Sequence, residues 1–409
     1  MTAAAAAVLD QHPARWRVLT LLAAAELLGM SLWFAGSAVA PQLAIRWSIG
    51  QAQTAWVTTV VQLGFVCGTA VAALLNLADV IPSRVFFACS ALLGAAANAG
   101  VAATDTFSVG LLCRFITGFA LAGVYPPAMK MASTWFRARR GLAIGTVVGA
   151  LTVGKATPYL VHALPDTGPN TVILTASGCA LLAVVLVGAF YADGPFPFPP
   201  RPFSWGLVQA VVERREWRLA TGGYLGHMFE LYSFWTWIPV FIGASVAAQQ
   251  PAGGAGARVV SIIAFGTIAI GGLGCVWGGL AADARGRERL VMLAMAASGI
   301  CSLLIPFAFG RTLWILAPLA LIWGFFVVAD SAQFSALVTE AVPAHAVGTA
   351  LTVQTSLGFL LTMVSIQLVP PMVALVGWRW AFPMLALGPT FGIAAIRRLV
   401  SRKREAIAL

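Results

Sequence analysis

Long apolar runs, each closed by a short charged or Pro/Gly-containing stretch, recur along all 409 residues of the chain. A helix needs roughly 20 apolar residues to cross a bilayer core. About twelve runs meet that length: 17–42, 54–76, 84–103, 107–131, 140–163, 170–192, 218–245, 258–281, 288–309, 312–338, 346–372 and 378–397. The pattern predicts an all-α polytopic membrane protein. Between the sixth and seventh runs lies Asp193–Trp217, whose proline-rich start cannot continue a helix. Its second part, Trp205–Arg215, predicts an amphipathic segment lying along the membrane surface. This divides the chain into an N-terminal six-helix bundle (1–195), a linker (196–216) and a second six-helix bundle (217–409).

The seventh run breaks the apolar rule. Gly222–Gly243 is long enough to cross a bilayer yet carries His227 and Glu230 inside it. Ionisable groups at that depth face a partner, a wet cavity or the interior of a bundle. The first run repeats the arrangement: Glu26 precedes Trp33 at the spacing by which Glu230 precedes Trp237. Two such helices predict two matching halves with a polar path between them.

Composition agrees. The chain is 60% hydrophobic and 10% charged, with a mean hydropathy of +0.88, against about 25% charged residues in a soluble domain. The net charge of +11 raises nucleic-acid binding as a question, and its distribution answers against it. Basic residues gather in short clusters between runs: Arg137, Arg139 and Arg140; Arg214, Arg215 and Arg218; Arg285, Arg287 and Arg289; and Arg397, Arg398, Arg402, Lys403 and Arg404. With both termini inside, 19 Lys/Arg fall on the cytoplasmic side and four outside, as the positive-inside rule requires of a cytoplasmic-membrane protein. The first run reads as an uncleaved span and the alanine-rich start before it as disordered. The six cysteines are scattered inside apolar runs without a CxxC pair, which predicts no disulfide framework, no metal site and no cofactor. No Walker loop, nucleophile elbow, HExxH or dinucleotide fingerprint is present, so neither an enzyme nor an ATP-driven pump is expected.

Four stretches carry a family likeness. Gly279–Leu290 (GLAADARGRERL) sets Asp283 four residues after Gly279 and follows it with Arg285, Gly286 and Arg287. The loop after the second run, LNLADVIPSR, keeps Asp79 and Arg84 but has Leu75 and Pro82 where glycines would stand. The fourth run reads RFITGFALAGVYPP, and the fifth RRGLAIGTVVGALTVGKATP. With these stretches, two six-run halves and a long central loop, the chain resembles the major facilitator superfamily. The resemblance implies two bundles related by a pseudo-two-fold axis, transport by alternating access, and a latch at the 279–290 loop. In that latch Asp283 is placed to cap a helix start, while Arg285 and Arg287 reach carbonyl groups or a neighbouring acid. The Gly-Pro pair of many drug/proton antiporters is missing from the fifth run.

The intramembrane polar residues are the candidate site. Lys155, near mid-membrane and flanked by Thr152, Thr157 and Tyr159, reads as an anion ligand. Arg114 reads either as a second ligand or as an internal structural residue. Glu230 and His227, three residues apart, are placed to share a proton; the alternative is a structural bond from Glu230 to Gln354 or Gln367 on the eleventh run. Glu26 reads as a second proton site or as an ion pair with Arg114 or Lys155. Trp33 and Trp237 wall the path or simply pack, and Asp330 holds the arginines of the 279–290 loop. The predicted substrate set is therefore Lys155, Arg114, Trp33, Tyr159, Trp237 and Gln354. Glu230, His227 and Glu26 form the predicted proton set. The gating set is Asp79, Arg84, Gly279, Asp283, Arg285, Gly286, Arg287 and Asp330. The function expected is secondary transport of a small anionic solute, coupled to protons or to counter-anion exchange, by a monomer in the lipid bilayer. Proton-driven efflux of lipophilic or cationic drugs is the alternative.

Overall fold

The structure, a computed structural model, describes residues 12–136, 140–196, 204–249 and 255–408. The alanine-rich start, Arg137 and Arg139 of the first basic cluster, and the linker from 197 to 203 lie outside the described residues. Among the described residues every regular element is helical. The first span is Ala14–Met30 continued by Leu32–Ala38, and the second is Gln51–Leu74. Ser83–Ala102 is the third, and Phe107–Leu121 with Tyr125–Trp135 the fourth. Arg140–His162 and Pro169–Phe190 complete the first half. The second half comprises Arg215–Ala247, Ala255–Arg285, Arg287–Ala308, Leu313–Ala329 with Ser331–Glu340, Val347–Ala381 and Leu387–Ala408.

Among the described residues, ten segments are long and apolar enough to cross a bilayer. The last of them, Val347–Glu405, holds two spans, because Gly377 turns the chain with φ 76°. The seventh span is absent from the ten; with it and the divided segment the layout is consistent with twelve helices in two bundles. The surface helix between the halves runs Trp205–Glu213. It turns Val211 inward, against a cluster with Trp217 and Leu337, and leaves Trp205 71% exposed.

Neighbour relations repeat between the halves. The first span packs on the fifth and sixth, the third on the sixth, and the fourth on the second and third. Shifted by six, each pairing recurs: seventh on eleventh and twelfth, ninth on twelfth, tenth on eighth and ninth. Two contacts join the halves, fifth on eighth and second on eleventh, and the same shift exchanges them. That is the signature of a pseudo-two-fold axis between the bundles.

Glycines permit the closest crossings. A Cβ on Gly118 of the fourth span would strike the Val61 carbonyl of the second, and one on Gly324 of the tenth would strike the Thr267 carbonyl of the eighth. At the seam, Gly149 of the fifth span faces Gly272 of the eighth, where a Cβ on either would come within 3.1 and 3.0 Å of the other's carbonyl oxygen. Replacing Gly118 by Val is expected to lower the thermal midpoint of purified protein steeply, since rigid backbone meets the new side chain and overpacking alone costs about 1–3 kcal/mol. Gly141→Val is the control, because no atom lies within 4 Å of its added Cβ. Equal midpoints for the two variants would refute the close-packing argument.

Candidate functional site

Lys155 stands at the seam between the halves and is 1% exposed. Gly154 beside it lets the fifth span press on the first, where a Cβ would overlap the Leu27 carbonyl. The Lys155 ammonium donates a hydrogen bond of 2.5 Å to the Tyr232 hydroxyl of the seventh span. It also lies 4.1 Å from the ring centre of Trp33, 4.7 Å from that of Tyr232 and 5.0 Å from that of Trp235. Among the described residues no carboxylate forms an ion pair with it. Ring faces and one hydroxyl are weak compensation for a buried ammonium.

Around this cation the rings of both halves interlock. Phe65 and Phe359 lie 4.6 Å apart between centroids, Trp33 and Phe359 5.6 Å, and Trp33 and Tyr232 5.7 Å. Phe34 meets Trp235 edge-on at 6.1 Å and Tyr159 at 6.5 Å. Within the shell, the Trp33 and Trp235 indole N–H groups and the Tyr159 hydroxyl are buried without a hydrogen-bond partner among the described residues. Both amide atoms of Gln62 and of Gln354 are in the same condition. Such groups each cost about 1–3 kcal/mol when left unmade, and the two indoles among them belong to rings that lie over Lys155. Towards the face opposite the termini, His162 Nδ1 lies 2.8 Å from Ser261 Oγ and the Gln367 amide donates to Thr59 Oγ1 at 3.1 Å. Both contacts cross the seam.

Glu26 is fully buried, and neither carboxylate oxygen has a hydrogen-bond partner. It interacts with Lys155 through charge alone, without contact. The expected ion pair of Glu26 with Arg114 or Lys155 is therefore not formed.

Arg114 answers a different need. The first span is interrupted at Ser31 and resumes as the helix Leu32–Ala38, whose first turn faces the fourth span. The Arg114 guanidinium donates to the Leu32 carbonyl at 2.9 Å, to the Trp33 carbonyl, to the Val57 carbonyl at 3.4 Å and to Asn98 Oδ1 at 3.1 Å. Four of its five N–H groups are spent on the protein. The ligand reading of Arg114 thus gives way to a clamp that fixes the Trp33 backbone, and so the ring over Lys155.

In the seventh span the charged residues turn away from the seam. Glu230 accepts from the Ser298 hydroxyl at 2.7 Å and the Trp323 indole at 2.8 Å, both within the second bundle. His227 Nδ1 lies 2.9 Å from Asp330 Oδ1, and its Nε2 lies 2.9 Å from Ser331 Oγ. The expected proton sharing between His227 and Glu230 is overturned: each is engaged with different partners. Neither Gln354 nor Gln367 bonds Glu230. Trp237 donates its indole N–H to the Ile366 carbonyl at 3.0 Å and packs on Trp378, outside the ring shell. The seam face of this helix is Tyr232 and Trp235 instead, and these two were missed because an aromatic residue carries the same hydropathy on every face.

The gating set divides. Asp79 pairs with Lys130 at 2.6 Å, joining the loop after the second span to the fourth. Arg287 pairs with Glu340, and Lys403 with Glu288 at 2.6 Å, on the face that bears the termini. Arg84, Asp283 and Arg285 are exposed, and Gly279 has open space around it. Asp283 sits in the last turn of Ala255–Arg285 and caps no helix; Gly286, with φ 88°, makes the turn into the ninth span. Asp330 contacts His227 rather than the arginines of that loop.

Two pseudo-symmetric six-helix bundles with an ionisable centre on their seam define a secondary transporter. The Major Facilitator Superfamily model matches residues 21–366, and the chain belongs to that family. Its structure is similar to that of the nucleoside transporter NupG, solved as a crystal structure of a point mutant. The TM-score is 0.71 at 14% identity, over 93% of this chain and 99% of that one, a likeness of fold. In sequence it is similar to the MFS-type transporter opdF of Penicillium oxalicum, 31% identical over 105 residues. That match spans 25% of this chain and 24% of the fungal protein's length.

Proposed function

We propose that this transporter moves a small organic anion across the cytoplasmic membrane, and that Lys155 is the group that receives it. The observation behind this reading is an ammonium buried at the seam of the two bundles with no ion-paired carboxylate. The anion supplies the missing counter-charge. The bundles 1–195 and 217–409 rock about it by alternating access, with both termini in the cytoplasm as the basic clusters require.

Coupling follows from Glu26. Ionised, it offsets the charge of Lys155 from a distance and competes with the anion; protonated, it leaves that charge to the cargo. Anion and proton therefore bind together and travel together, which is symport. His227, Asp330 and Glu230 hold the second bundle together instead. The alternative, efflux of lipophilic cations, has the ring shell in its favour, but Lys155 already occupies that shell and repels a second cation.

Glu26→Gln keeps the shape and removes the titration. Proteoliposomes carrying this variant are expected to lose anion accumulation driven by a pH gradient while still exchanging labelled for unlabelled anion. Proton-driven accumulation at the wild-type level would remove Glu26 from the coupling.

A further inference from the structure

Resting on the reading of Lys155 as the anion ligand, we propose that the cargo is an aromatic carboxylate, whose ring slots between the seam rings of the two halves while Lys155 and the indole N–H groups take its carboxylate. The seam rings come from opposite halves. Trp33 and Phe65 belong to the first, Tyr232, Trp235 and Phe359 to the second, and three of the closest pairs cross between them. When the halves part, those pairs separate and leave a slot with aromatic walls on both sides. A flat ring restores the face-and-edge contacts on each wall. A saturated ring of the same size restores only the area, and a small hydrated anion restores neither.

The polar atoms of the shell agree. The unpartnered indole N–H groups of Trp33 and Trp235 are donors, and so is the Lys155 ammonium. A site that offers donors beside stacked rings suits a carboxylate attached directly, or by a short link, to an aromatic ring.

The test uses the full chain in lipid nanodiscs, with binding followed by tryptophan fluorescence and by thermal midpoint. Benzoate is compared with cyclohexanecarboxylate, and 3-phenylpropionate with 3-cyclohexylpropionate. Each pair shares charge and length and differs in the ring. At least one aromatic acid is expected to bind about tenfold more tightly than its saturated partner, the sum of stacking on two walls. Phe359→Leu, close in volume, removes a ring from one wall and is expected to cut that ratio to about threefold while the saturated acid still binds. If the saturated acids bind as tightly as the aromatic ones, or Phe359→Leu leaves the ratio unchanged, the ring slot is overturned and the anion reading stands. If no carboxylate binds, both fall, and binding of tetraphenylphosphonium in its place would assign the shell to cations.

Discussion

Lys155→Met is expected to lower transport at least about a hundredfold and, in the same protein, to raise the thermal midpoint. The two effects share one cause. In the closed chamber the ammonium has given up water for one hydroxyl and three ring faces. Burying an ion with so little compensation is costly, and replacing such an ion by a well-packed apolar side chain commonly stabilises by about 1–4 kcal/mol. Methionine follows the same path through the rings without the charge. The anion then meets no cation, and loss of a buried charge partner costs about 2–5 kcal/mol of binding. Uptake into proteoliposomes and a melting curve on the same preparation check both halves of the expectation. A variant that transports normally, or one that is both inactive and destabilised, would refute the role given to Lys155.

Arg114→Met reverses the sign for stability. This cation too is fully buried, yet its edges are filled by three carbonyls and the Asn98 side chain. Removing it takes the charged donor away from the buried Leu32, Trp33 and Val57 carbonyls and from Asn98 Oδ1, and a hydrogen bond to a charged group is worth about 1.5–3 kcal/mol. The variant is expected to be destabilised by about 3–5 kcal/mol and to lose transport as well, because the Trp33 ring loses its anchor. Arg114→Lys should rescue little, since a single ammonium cannot serve four acceptors spread around a planar fork. A midpoint within 1 °C of wild type for Arg114→Met would refute the clamp, measured in detergent by differential scanning fluorimetry.

These two residues also show what the sequence made legible. That each lies inside the membrane follows from hydropathy alone. What each does depends on partners distant in the chain: Arg114 meets the Leu32 carbonyl from 82 positions away, and nothing local announces the break at Ser31 beside it, where no proline stands. The break in the fourth span was easier, because Pro126 and Pro127 mark where the second piece starts. The seventh span misled in a more general way. In water, a charged face looks outward and an apolar face inward. In a bilayer the lipid side, the seam and the bundle interior are all apolar, so the period of the helix fixes no direction. His227 and Glu230 stood out as the path, yet they are satisfied inside their own bundle, while Tyr232 and Trp235 carry the seam. Lys155 was legible because a lone cation at mid-membrane has few structural excuses, and Phe65 and Phe359 were not, because nothing but the folded seam brings them together.

The bare crossing of Gly149 on Gly272 has a mechanical consequence. Two helices that approach this closely through glycine backbone, with Val153 of the fifth span as the nearest side chain to Gly272, make a natural pivot for the rocking proposed above. Lys155 lies about 9 Å along the helix from this fulcrum and His162 about 20 Å, at ~1.5 Å rise per residue. A given swing therefore sweeps the helix end roughly twice as far as the lysine. Under the proposed rocking, the mouth at the helix end therefore gapes about twice as far as the slot around Lys155 widens.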